Sequence, residues 1–513
     1  MMFADAATED FFRARLDHMI DLRHSLAVLA SRMPWQQIEA SVAHLFSRRA
    51  RTGEAMPDLD LFGEAPPPLA RQSNAGRPRV PLRTMISLLY LKHAFNLSDE
   101  AVVERWSDSP NFQFFSGQAY FEPRLPCDAT TLVKFRRLLG EEGVEELLAQ
   151  TVNLAVSLKL IPAAALATVV VDSTVQEKAV AHPTDSKLLE TARSKLVAAA
   201  QEAGIELKQT FVKEGRLLRF KAGRYAHARQ FKRLRRVIKR QSTVVGRLVR
   251  EIERKASVLS AAVREALDGA LGKARRMADQ ARSRKNIAGV PKLYAWHAPE
   301  VECIAKGKSR TPYEFGVKVG IATTLKHNLI VGARAFRGNP YDGHTLREQL
   351  EQATILMQDT GVKPTTAYVD LGYRGVDADN PGVAIKHRGK FKTLTAQERK
   401  LLKRRQAIEP IIGHLKADHR MDLCHLLGEQ GDSLHAVMCA AGYNIRWLLR
   451  MIAKKGITFL RSIFLCLKQA SSRWLPWLAS VMAQTLRTAK SWISARHAPD
   501  MRRWPGVDVL AAA

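Results

Sequence analysis

The chain holds 513 residues with 80 Lys and Arg against 50 Asp and Glu, a net charge of +30 and a pI near 10.2. A hydrophobic content of 46% with 25% charged residues excludes disorder along the whole length, and the length suits about three domains at roughly 150 residues each. So large a positive surplus calls for a polyanionic partner, nucleic acid ahead of an anionic membrane surface.

Residues 1–55 read as a small helical unit, with Phe11, Phe12, Leu16, Met19, Ile20, Leu26 and Leu29 at helical spacing. The opening stretch has early acids and no apolar core of a secretory signal, so the chain is expected to stay in the cell. Residues 56–81 carry six prolines and two glycines and read as an extended linker. Helical patterns return over 82–163, with Ser98 and Asp128 as N-caps, and a DNA-reading helical domain fits there as well as generic packing does.

The period then changes. Leu166–Asp172 (LATVVVD) is a continuous β-branched run, as in a strand buried on both faces. Two strands joined by a polar turn at Lys326–Asn328 occupy 315–336, followed by a helix, a strand at Thr366–Asp370, a short strand at Val383–Lys386 and further helices. That order describes a mixed α/β core built from 164–184 plus 288–452. A helical insertion over 185–287 interrupts it. Residues 211–290 hold 23 Lys and Arg against 6 Asp and Glu, over half the chain's surplus, and 221–250 hold 11 bases and no acid. With no interspersed acids to pair them, Arg233, Arg235, Arg236 and Arg240 are expected to meet phosphates.

Five cysteines (Cys127, Cys303, Cys424, Cys439, Cys466) are scattered, with no C-x-x-C pair and no His/Cys grouping at zinc spacing. His414, His419 and His425 are read as helix-face residues, not as ligands. Residues 453–513 form a helical tail. Its apolar stretch from Ile457 to Leu486 is broken by Arg461, Lys468, Arg473 and Pro476 and reads as a surface or partner-binding helix, not a bilayer span.

Three acids carry the chemistry. Asp172 and Asp370 are expected at the ends of neighbouring strands, a pair of carboxylates suited to Mg²⁺ or Mn²⁺, which accept oxygen ligands and substrate phosphate oxygens. Glu409 lies in RRQAIEPIIGHLKADHR, with Lys416 and Arg420 on the same helical face. Pro410 predicts a kink or a fresh helix start, which puts Glu409 in a first turn.

These residues resemble bacterial insertion-sequence DDE transposases with an RNase H-like catalytic domain, specifically the group named after insertion sequence five. The resemblance covers roughly Gly76 to Arg450 and rests on GRPRVPLRTMISLLYLKHAFNLSDEAV, VVVDST, YEFGVKV, GNPYDGHTL, VDLGYRG and RRQAIEPIIGHLK. The family's Tyr-(2)-Arg-(3)-Glu-(6)-Lys signature falls on Arg405, Glu409 and Lys416, with Leu402 in place of its Tyr. The resemblance implies that Asp172, Asp370 and Glu409 form the catalytic, metal-binding triad and that Arg405 and Lys416 contact phosphates at the transposon end. It gives Asn339, Asp342 and His344 a structural or supporting part. It also implies double-stranded DNA as partner, a homo-oligomer on paired ends and a bacterial cytoplasmic setting at the nucleoid. The expected function is cleavage at terminal inverted repeats and strand transfer. The alternative is a catalytically inactive transposase-derived DNA-binding protein, and an RNase H-type nuclease shares the core chemistry.

Overall fold

The computed structural model describes residues 14–46, 79–257, 260–283, 291–305 and 312–455; most of the expected 56–81 linker and nearly all of the tail lie outside them. The chain divides into two units, Met1–Leu449 and Arg450–Ala513, the second described only over 450–455, which are helical. No helix among the described residues is long and apolar enough to cross a membrane.

Three short helices, α1 (Leu16–Met19), α2 (Ser25–Arg32) and α3 (Trp35–Ala43), lead into α4 (Leu82–Ala94), α5 (Asp99–Asp108), α6 (Pro110–Phe115) and α7 (Ala129–Ser157). Ser98 caps α5 by accepting the Ala101 amide and Asp128 caps α7 by accepting that of Thr130, as expected. Gly140, at φ 64°, breaks α7 into two segments. Eleven of the thirteen residues of α4 are buried, so this helix, apolar nearly all round, has almost no face to offer a DNA groove. Its two buried polar residues at the C-terminal end, Lys92 and His93, need internal partners.

The sheet has six strands: β1 (Thr168–Glu177), β2 (Glu302–Ala305), β3 (Tyr313–Thr324), β4 (Ile330–Phe336), β5 (Thr366–Tyr368) and β6 (Ala384–Lys386). Their order is β2-β3-β1-β5-β6, with β4 also paired to β3. β1 runs antiparallel to β3 and parallel to β5, and β5 runs parallel to β6. The VVV run of β1 is central in this mixed α/β sheet and buried, as a continuous apolar run requires.

Between β1 and β2, helices α8 (Asp185–Glu202), α9 (Val212–His227), α10 (Phe231–Ala256) and α11 (Ala261–Arg282) pack around a core of their own. Leu188, Leu196, Val245, Leu248, Ile252, Leu271 and Met277 fill it. α10 turns its apolar stripe inward and its bases outward, whereas α9 buries only Gly215 and Ala222. Helix α12 (Asp342–Leu356) packs on β3 and β4, and α13 (Ala396–Arg404) and α14 (Ile408–His419) come back over β1 and β5. The unit closes with α15 (residues 428–449).

Candidate active site

Asp172 stands inside β1, not at its end as expected from VVVDST, because β3 pairs with β1 as far as Glu177. The other edge differs. β5 pairs only with Thr168, Val169 and Val170, and among the described residues no strand continues its pairing past Val170; the next backbone bonds on that edge come from Cys424, whose amide donates to the Glu177 carbonyl and whose carbonyl accepts the Ala179 amide. Asp172 and Asp370 each follow two residues past the last pair, Val170 and Tyr368. Alternation along β1 puts Asp172 on the face of Val170, the face that α13 and α14 cover. Asp370 is extended (φ −85°, ψ −172°), and its Oδ1 accepts the Gly372 amide at 2.8 Å, capping a short 3₁₀ turn over Leu371–Tyr373.

Glu409 arrives as expected from Pro410. α13, opened by a Thr395/Glu398 capping box, ends at Arg404; one 3₁₀ turn spans Arg405–Ala407; and α14 starts afresh at Ile408. Proline is tolerated in this first turn because its missing N–H has no helical acceptor, and a carboxylate there suits the helix dipole. Ile408 and Leu402 pack with Val170 and Tyr368, which fixes α14 against the two strands. Leu402 is therefore a core residue, 7% exposed. Arg405, one turn before Glu409, puts Nη1 3.3 Å from Asp172 Oδ2, and Ile412, three residues after it, packs on the same cluster. Glu409 itself is exposed and does not close onto the aspartates. Among the described residues, the only three metal-ligating atoms within 4.8 Å of one another belong to His93, His435 and Cys439.

Asp342, at the start of α12, joins the aspartates. Its Oδ1 accepts Ser173 Oγ at 2.9 Å and Lys318 Nζ at 3.1 Å. A Cβ on Gly372 would lie 3.0 Å from Asp370 Oδ1 and 3.2 Å from Asp342 Oδ2, so the glycine leaves a hollow between two carboxylates. Tyr373 is buried beneath: burial, reinforced by the charges of Asp342, Asp172 and Asp370, pushes its hydroxyl well above the usual range. Asn339 is exposed in a left-handed turn at φ 44°, and exposed His344 sets its ring edge-on to Tyr341. Ser173, Lys318 and Tyr373 were not singled out from sequence. Lys318 had a visible signal, a lone cation inside the apolar run of β3, and is buried with its Nζ on the Pro340 carbonyl at 2.6 Å.

The expected phosphate contacts separate into groups. Lys416 lies 3.5 Å from Glu314 Oε1 and 3.7 Å from Glu177 Oε1. Arg420 is not on the helical face assigned to it: α14 ends at His419, and Arg420 is its left-handed cap at φ 68°, reaching toward the Asn96 carbonyl. Arg240 is held by Glu214 of α9 through two hydrogen bonds of 2.6 and 3.0 Å, so an acid outside the 221–250 window does pair with this base. Arg233 donates to Gln230 and lies over the Tyr225 ring. Arg235 and Arg236 are exposed on α10.

A family model described as "Transposase domain (DUF772)" matches residues 58–138, and one described as "Transposase DDE domain" matches residues 291–445. A Rhizobium meliloti protein named "Uncharacterized protein ORF8 in nfe locus" is 41% identical over 222 residues, 43% of this chain and 95% of that protein. No solved structure matches the chain. The chain belongs to the family of that protein, and its residues 58–138 and 291–445 are similar to transposase domains, the second of the DDE kind. The DDE match begins after the helical insertion, so β1 lies outside it; the sheet returns β1, with Asp172, to a place between β3 and β5.

Proposed function

We propose that the protein is an insertion-sequence transposase with an RNase H-like catalytic domain, which binds the terminal inverted repeats of its element, cleaves to expose a 3′-OH and joins that end to target DNA. The observation that carries this reading is the parallel pairing of Val170 with Tyr368, from which Asp172 and Asp370 each follow two residues on. Glu409, in the first turn of α14, is the third acid of the set.

The donors fit a hard divalent cation. They are carboxylate oxygens, and Gly372 keeps side-chain carbon out of the hollow between Asp370 and Asp342. Asp172, Asp370 and Glu409 would hold Mg²⁺ or Mn²⁺, which when bound supplies charge neutralisation at the scissile phosphate and a more acidic attacking hydroxyl. Asp342, held by Ser173 and Lys318, fixes the start of α12 beside Gly372 and keeps the Asp370 turn in place. Arg405 holds Asp172 in the DNA-free protein. An arriving phosphate competes for this guanidinium, which both anchors the DNA and frees Asp172. Lys416 takes part in the same exchange, leaving Glu314 and Glu177 for phosphate. The bases of α10 supply affinity that carries no sequence information.

The test is Mg²⁺- or Mn²⁺-dependent nicking and strand transfer on DNA bearing the element's own ends, in the intact protein and in Glu409→Gln. Loss of both reactions in the variant, with DNA binding retained, is expected. Binding without reaction in the intact protein would mean an inactive DNA-binding descendant, and a preference for RNA–DNA hybrid would mean a nuclease.

A further inference from the structure

His93 on α4 and His435 and Cys439 on α15 bring one ligand atom each within 4.8 Å of one another, all three residues buried. The expectation of no His/Cys grouping at zinc spacing overlooked His435-x₃-Cys439, an i, i+4 pair that puts both side chains on one face of α15. That spacing is the one zinc fingers use for their second ligand pair. α15 meets α4 closely here: a side chain at Gly442 would collide with the Cβ and carbonyl carbon of His93.

The local geometry fits a tetrahedral metal. His93 Nδ1 lies 3.7 Å from Cys439 Sγ. With Zn–N near 2.0–2.1 Å and Zn–S near 2.3 Å, a tetrahedral zinc holds its N and S ligands about 3.6 Å apart. His435 Nε2 donates to the Arg420 carbonyl at 2.8 Å, which leaves Nδ1 as the basic nitrogen and is the outer contact that ligating imidazoles make. The two rings lie edge to face with centroids 5.4 Å apart. Burial holds both imidazoles neutral, His93 well below its usual range and His435 at about 3.

We propose that His93, His435 and Cys439 hold a structural zinc ion that ties α4 to α15. Cys439 is buried, and binding breaks its S–H bond, forms a Zn–S bond and sends one proton to solvent. His93 lies within the first family match, and His435 and Cys439 within the second, so the site staples the two matched segments together. It reaches α14 as well, because His419 Nδ1 donates to the His93 carbonyl at 2.9 Å.

This proposal does not rest on the transposase reading. Full-length protein stripped of metal under reducing conditions is titrated with Co²⁺ and followed by near-ultraviolet absorption. One equivalent is expected to produce a thiolate-to-cobalt charge-transfer band that Zn²⁺ bleaches; Co²⁺ at the carboxylates gives no such band. Cys439→Ser should lose it, and Cys303→Ser should keep it. No band in the unaltered protein, or a band undiminished in Cys439→Ser, overturns the site. Should the serine variants not fold, X-ray absorption on the unaltered zinc-loaded protein decides: mixed sulfur and nitrogen neighbours support the site, and oxygen neighbours alone refute it.

Discussion

Val170 of β1 pairs with Tyr368 of β5, and Asp172 and Asp370 each follow two residues further along their chains, β5 having ended at Tyr368. The pairing of Val170 with Tyr368 sets the register, and the backbone leaves the sheet only after that alignment is made. The gap this leaves is where Arg405 enters to meet Asp172.

Asp172→Asn, Asp370→Asn and Glu409→Gln are each expected to lower end cleavage and strand transfer by about 10³-fold, since metal-assisted stabilisation is worth several kcal/mol. DNA binding should persist in all three. In Asp172→Asn it should strengthen, because Arg405 loses its carboxylate partner. Gel-shift and strand-transfer assays on the same samples check both statements, and residual activity within tenfold of the unaltered protein would remove that residue from the site.

Gly372→Ala tests the hollow between Asp370 and Asp342. The added methyl meets carboxylate oxygens at 3.0 and 3.2 Å, so the two side chains must part by a few tenths of an ångström. Positioning errors on that scale are costly in catalysis and cheap in folding. Activity should fall by about 10²-fold while the melting temperature stays nearly constant, and a proportionate loss of both would mean that Gly372 serves the fold.

Neutralising Arg235 and Arg236 should flatten the dependence of log K on log salt for duplex DNA by about 0.9 per lost phosphate contact. Arg240→Gln should change the slope far less, because this guanidinium is engaged by Glu214. Equal slopes for the unaltered protein and the double variant would assign Arg235 and Arg236 to solvent.

Strands, hairpin and helix restart were legible because they rest on local rules: the β-branched run of β1, the polar turn before β4, and Pro410 opening α14. What was not legible depends on chain separation. Nothing near Asp172 says that β3 extends β1 to Glu177, since that partner lies beyond a four-helix insertion. Glu214 lies outside the acid-free window and reaches Arg240 only because α9 folds back along α10. Arg420 failed as a helical-face residue because the helix stops at His419, and no Gly marks the left-handed cap. His93 comes to Cys439 across more than three hundred residues, which no spacing rule reaches.

Leu402 occupies the signature position where the resembling family carries Tyr, and it packs with Val170, Leu325, Tyr368, Leu394 and Ile408. Leu402→Ala should cost about 2–5 kcal/mol, as for other buried leucines. Leu402→Tyr should cost about 1–3 kcal/mol by overpacking and should not raise activity. Urea unfolding alongside strand transfer checks this, and a Tyr variant that is more active at equal stability would show that the position faces DNA.

Acid should loosen the helical region ahead of the sheet through Asp99. Burial raises this carboxyl, but the hydrogen bonds from Arg136 at 2.6 and 2.7 Å and the charge of Lys92 at 2.8 Å outweigh it and hold the group at about 2, down from 3.8. A carboxyl depressed by folding contributes stability that is present above its unfolded pKa and lost as the pH falls through the folded one. Here the window runs from about pH 4 down to about pH 2 and holds roughly 2 kcal/mol at 1.36 kcal/mol per unit. Asp99→Asn leaves Lys92 and Arg136 buried without their counterion, so the variant should lose about 3–5 kcal/mol at neutral pH. It should also show a shallower fall between pH 4 and pH 2. Urea midpoints at pH 7, 4 and 3 measure both effects, and an acid dependence identical to that of the unaltered protein would move the titrating group elsewhere.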